Sequence, residues 1–111
     1  ADRVDADTLT LRDPRQRAVT ILPLALETAI EEAAHVTQFQ VIGQSGGALE
    51  VRFEAVVPDA KAAFERCHAA IDGLLAAHGV APTRVTFSRA APLHEGRSGK
   101  LRRVIEAPAP G

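Results

Sequence analysis

The 111-residue chain has no Met, Trp or Tyr and a single cysteine, Cys67. One thiol cannot form an internal bridge, so disulfides are no part of the design, which fits a reducing compartment. Apolar runs are short: none approaches the roughly 20 residues needed to span a bilayer. The opening Ala1-Asp2-Arg3-Val4-Asp5 lacks the charged-then-apolar order of a secretory leader. An excess of charge of either sign is also missing. A net charge of −1 with interspersed signs offers no basic face for nucleic acid. The expectation is a soluble, cytoplasmic protein with neither a membrane nor a nucleic-acid partner. There is no initiator Met, and the first residues read like the middle of a motif, which predicts a piece of a longer protein. A chain of this length is one domain and can bury a core without staples.

The elements follow from periodicity. Residues 8–11 and 17–22 are short β-type runs joined by Arg12-Asp13-Pro14-Arg15-Gln16, whose Asp-Pro reads as a turn. Pro23 opens a helix, where its missing N–H costs nothing. Leu26, Ile30 and Ala33 or Ala34 carry the apolar stripe to about residue 34, with Glu27, Glu31 and Glu32 on the wet side. A strand over 36–42 and the glycine-rich 43–47 predict a hairpin. In the return strand Leu49, Val51, Phe53, Ala55 and Val57 alternate with Glu50, Arg52 and Glu54, so one face is buried. Asp59 caps a second helix with Ala63, Phe64, Cys67, Ile71, Leu74, Leu75 and His78 on one stripe, and Gly79 stops it. Residues 84–88 read as the last clear strand, with Val85 and Phe87 inward; residues 90–99 show no periodicity. The predicted fold is α+β: an N-terminal β-hairpin followed by a split βαβ, a ferredoxin-like βαββαβ two-layer sandwich.

Most chemistry-bearing residues have a bland reading. Gly43 to Gly47 lacks the lysine and following helix of a phosphate loop and is a hairpin turn. His35, His68, His78 and His94 share no metal spacing, and adjacent Cys67 and His68 point about 100° apart on a helix. No metal site is expected. Base stacking on the sheet needs exposed aromatics, whereas Phe53 shares a face with Leu49 and Val51. One segment stands out: Arg97-Ser98-Gly99-Lys100-Leu101-Arg102-Arg103-Val104-Ile105. Lys100 is one of two lysines against eleven arginines, and a compact ammonium on a flexible stem can be aimed at a single oxygen.

Residues 92–105, a proline-led segment ending in Ser-Gly-Lys and basic residues, resemble the closing motif of the adenylate-forming (AMP-binding) ligases. Arg3-Val4-Asp5 is similar to the Gly-Arg-x-Asp-Asp hinge that joins their large and small domains. Leu22-Pro23-Leu24, the run around Gln38-Phe39-Gln40 and the strand from Leu49 resemble the small C-terminal domain of the phenylacetate–CoA ligase branch. Ala1-Asp2 stands where the hinge has its glycine and Ala6 where it has its second acid. Residues 12–16 stand where the family has a glycine-bearing loop of the pantetheine tunnel.

The resemblance implies a hinge remnant over 1–7, a small C-terminal domain over 8–106 and a tail over 107–111. It implies that Lys100 is the catalytic lysine of adenylation and Asp5 the hinge. Arg3, Ser98 and Gly99 would support the nucleotide or the loop. The partner would be an N-terminal adenylation domain of the same chain. ATP, Mg²⁺, CoA and a carboxylic acid would meet in the full-length enzyme, none bound to this part alone, which would be inactive by itself. The alternative from fold alone is a non-catalytic ferredoxin-like regulatory or interaction module.

Overall fold

A computed structural model describes residues 8–36, 38–44, 47–53, 57–81, 83–92 and 103–106. The chain begins with an antiparallel hairpin, β1 (Leu9–Arg12) and β2 (Ala18–Ile21), in register from Leu9 opposite Ile21 to Arg12 opposite Ala18. Its turn is organised by Asp13. One carboxylate oxygen accepts the backbone N–H groups of Arg15 (2.9 Å) and Arg17 (2.8 Å), and the other accepts Arg17 Nε at 2.8 Å. Backbone bonds Asp13 N–Arg17 O (3.0 Å) and Gln16 N–Asp13 O (2.8 Å) close the loop, and Gln16 takes φ +66°. These donors hold the Asp13 carboxyl below its ordinary 3.8, the backbone N–H of Arg17 most of all. Leu9 and Leu11 alternate inward with Thr10 and Arg12 outward, so the hairpin presents one apolar face.

Helix α1 (Pro23–Ala34) starts on an extended Leu22 with no side-chain cap; Pro23 supplies the pre-set φ instead. Leu26, Ile30 and Ala34, four apart, are its buried stripe. His35 ends it in the left-handed region at φ 57°, its N–H on Glu31 O at 3.0 Å. Helix α2 (Ala60–Ala77) is capped by Asp59, whose side chain accepts from Ala62 N at 3.2 Å, and it buries Ala63, Cys67, Ile71 and Leu75. Gly79 at φ +78° then turns the chain, where a side chain would be strained. Small residues on both stripes let the helices touch closely. Arg66 Nε reaches across to Ala33 O at 3.1 Å, placing a cation on the last carbonyls of α1, where the helix dipole favours it.

β3 (Phe39–Gly43) and β4 (Leu49–Phe53) form the central antiparallel pair, Phe39 opposite Phe53 and Gly43 opposite Leu49. β5 (Val85–Phe87) pairs parallel to β4, so β4, α2 and β5 make one crossover unit. β6 (Val104–Glu106) pairs parallel to β3, Val41 opposite Val104. The sheet order is β5-β4-β3-β6. Phe39, Val41, Leu49, Val51, Val85 and Val104 join the helix stripes and Leu9, Leu11 and Ile21 in one buried cluster. Both helices therefore cover the same face of the sheet, and the hairpin closes its end. The closest approach is at Gly43, where a Cβ would stand 2.9 Å from Leu9 Cδ2; the bare backbone is the hairpin's seat.

The α+β class, the N-terminal hairpin, and the two helices over a mixed sheet are those the sequence implies, compatible with a ferredoxin-like two-layer sandwich. Strand membership differs from the linear reading in two ways. Among the described residues β2 pairs with β1 alone, and a strand beyond 84–88, β6, lies beside β3 in the sheet. Three residues after an aperiodic stretch carry too little pattern to read as a strand. Among the described residues no helix is long and apolar enough to cross a membrane.

Candidate functional site: the anchors of the Ser-Gly-Lys segment

The residues singled out by sequence, Arg3, Asp5, Ser98, Gly99 and Lys100, all lie outside the described residues. What the structure gives is the ground on either side of them. β5 and β6 are opposite edges of the sheet, so the connection carrying Lys100 joins the two edges.

The departing end is held on β4. Ser88 N donates to Val51 O at 2.9 Å, Ala90 N donates to Ser88 Oγ at 3.1 Å, and Arg52 Nη1 donates to Ala91 O at 2.9 Å. Arg52 is itself fixed by Glu50, which accepts its Nε and, through the other oxygen, Gln44 Nε2 at 2.7 Å. The Arg52 and Glu50 side chains are only 16% and 17% exposed, so this pair is less screened than an ordinary surface ion pair. Pro92, next in the chain, is buried.

The returning end is held on α1. Arg103 Nη1 bridges Glu31 Oε2 at 2.9 Å and Glu27 Oε1 at 3.2 Å. Its guanidinium lies 4.8 Å from the centroid of the buried Phe39 ring, within cation–π range. Its carbonyl accepts Val41 N at 2.7 Å. Glu27 and Glu31, expected on the wet face of the helix, are half-buried partners of this arginine. One turn apart, they are presented together to it.

The strands flanking the two sequence motifs also meet. β1 follows the Arg3-Val4-Asp5 segment and β6 follows Lys100; Thr10 N donates to Glu106 Oε2 at 2.9 Å. Sequence reasoning missed Arg52, which alternation assigns to the solvated face, and gave Arg103 no role beyond a basic residue of the motif. A faint signal was present in Glu27 and Glu31 at i, i+4 without a basic residue at matching spacing on their own helix.

The cysteine and two of the described histidines lie on α2 or at its end. Cys67 is fully buried and burial pushes its thiol up to about 11. His68 Nε2 lies 3.3 Å from Asp72 Oδ2 along α2, and His78 Nδ1 sits 2.9 Å from Leu74 O at the helix end. Among the described residues no group of three or more His, Cys, Asp or Glu could hold a metal ion.

The fold and these anchors define a two-layer α+β domain that carries a lysine-bearing connection between sheet edges. Comparison with protein-family models, curated proteins and solved structures finds no match to the chain.

Proposed function

We propose that this chain is the C-terminal lid domain of an ATP-dependent, acyl-adenylate-forming ligase of the cytoplasm. The substrate would be an aryl acid, with CoA as the acceptor, as in the phenylacetate–CoA ligase branch. The observation that carries the reading is Ser98-Gly99-Lys100 ending three residues before Arg103 in the chain, whose bridge to Glu27 and Glu31 ties the return of that segment to the helix layer. A lysine brought to a second domain must be backed by a rigid body, and the Arg52 and Arg103 anchors supply one on each side.

The chemistry asks for this. Attack of a carboxylate on the α-phosphate of ATP brings two anions together and builds charge on the leaving pyrophosphate. A positioned ammonium stabilises that charge. Lys100 delivers it, Ser98 and Gly99 shape the approach, and Arg3 supports the nucleotide. Rotation at Asp5 then withdraws the lysine so that the acyl-adenylate can meet the thiol. Glu27, Glu31, Glu50 and Asp13 are each paired with an arginine and serve the two anchors and the hairpin turn. By the resemblance, ATP, Mg²⁺ and the acid would be held mainly by an N-terminal adenylation domain.

The test is ATP–pyrophosphate exchange by the protein that contains this chain, over a panel of carboxylic acids. Lys100→Ala should lower acid-dependent exchange by about 10² to 10³, while thioester formation from supplied acyl-adenylate survives. Near-wild-type exchange in the variant overturns the assignment. A second reading, a non-catalytic regulatory or interaction module, draws on Leu22 and Leu24, large apolar side chains 61% and 73% exposed at the start of α1. It is favoured if no acid supports exchange and the domain self-associates in sedimentation.

A further inference from the structure

Three of the four phenylalanines in the chain are not in the buried core but around one groove. Phe53 and Phe87 lie 5.2 Å apart by ring centroids with their planes at 50°, and Phe64 and Phe87 lie 5.4 Å apart at 44°. All three are half-buried, whereas Phe39 is fully buried. With Val57 and Ala60 they line an open cavity of about 520 Å³ between β5 and the start of α2. That is within the range of small-molecule sites, which run to about 300–1,000 Å³.

Among the described residues the charged part of the lining has one sign. Lys61, Arg89 and Ser88 complete it, and no acidic side chain is among the described lining residues. Neither Lys61 nor Arg89 makes an ion pair within the described residues. Ser88 Oγ accepts the N–H of Ala90 at 3.1 Å, which leaves its own hydrogen to donate. Tilted rings with an open side favour a further flat ring stacked or packed edge-on, and two cations with a hydroxyl favour an anionic oxygen group.

We propose that this groove binds a small aryl anion, a flat aromatic body carrying one carboxylate, with the ring among Phe53, Phe64 and Phe87 and the carboxylate on Lys61, Arg89 and Ser88. The site goes beyond the ligase reading and does not depend on it: it needs neither ATP nor Lys100.

The experiment is a ¹H–¹⁵N NMR titration of the 111-residue chain with 2-naphthoate and, separately, with the uncharged 2-naphthylmethanol. Saturable shifts should centre on Phe53, Lys61, Phe64, Phe87, Ser88 and Arg89, and naphthoate should bind about tenfold more tightly than the alcohol. Lys61→Gln and Arg89→Gln, both at exposed positions, should each weaken naphthoate binding about threefold, and about tenfold together. Absence of saturable shifts in the millimolar range, shifts centred elsewhere, or equal affinity for acid and alcohol overturns the proposal. Shifts of the same residues on raising protein concentration without ligand overturn it too, and assign the groove to a second copy of the chain. Should either variant fail to fold, the acid and alcohol pair on the wild-type chain decides the charge requirement alone.

Discussion

Arg103 offers the most direct test of how the lysine segment is backed. Its side chain is 26% exposed, Glu27 19% and Glu31 38%, so the bridge lies between a screened surface pair and a dry one. Arg103→Gln removes two charge-assisted contacts and the cation over Phe39, and leaves two carboxylates one helical turn apart with no cation between them among the described residues. Hydrogen bonds to charged groups are worth about 1.5–3 kcal/mol when well shielded. Exposed pairs are worth less than about 1 kcal/mol, and the ring contact adds about 0.5–1 kcal/mol. Together with the like-charge repulsion, the expected loss is about 2 kcal/mol. Arg103→Lys should recover about half, because an ammonium meets the two oxygens less well and stacks poorly on the ring. Urea unfolding followed by circular dichroism reads this as a lower midpoint with an unchanged slope. In a double-mutant cycle Glu31→Gln should cost stability in the wild type and almost none beside Arg103→Gln. An Arg103→Gln midpoint within error of the wild type, or equal Glu31→Gln costs in both backgrounds, refutes the reasoning.

Two further predictions concern ionisation. The Asp13 carboxyl should titrate below 3.8 in a ¹³C NMR experiment. Its folded value lies below the unfolded one, so its contribution to stability is present above pH 3.8 and is lost as pH falls through the folded value. Asp13→Asn should flatten the acid limb of the stability curve, and a midpoint at or above 3.8 counts against the turn network. Cys67, raised from 9.0 to about 11 by burial, stays a neutral thiol at pH 7, so Ellman's reagent should modify it no faster than the chain unfolds. The sign is opposite to that of Asp13: stability is full below pH 9.0 and declines as pH rises towards 11, and rapid native-state modification at pH 8 contradicts the burial.

The helices were legible because their signals are local and agree with one another. Pro23 and the Leu26, Ile30, Ala34 spacing mark α1; Asp59, the Ala63 to Leu75 stripe and Gly79 mark α2. The turn at Asp13 was legible from Asp-Pro for the same reason. β6 was not, since its identity as a strand rests on β3, far away in sequence. Leu49 to Phe53 showed which face of β4 is inward, but alternation could not reveal that the outward Arg52 holds Ala91. The clamp on Arg103 was hidden for a related reason: Glu27 and Glu31 look like a solvated pair until a distant strand brings the guanidinium between them. Likewise Phe64 and Phe87 were read only as inward-facing positions, whereas together with Phe53 they edge a groove.

The place of β6 has a consequence for how the chain is made. β3 carries Phe39, Val41 and Ile42, all buried, and the partner for one of its two edges is residues 104–106. During synthesis the hairpin, both helices, β4 and β5 leave the ribosome first. For that interval β3 offers a row of unsatisfied backbone groups along an apolar strand, the kind of edge on which a second nascent chain can dock. A three-residue strand thus covers that edge, and any lesion that delays its pairing prolongs the time in which neighbouring copies can exchange strands.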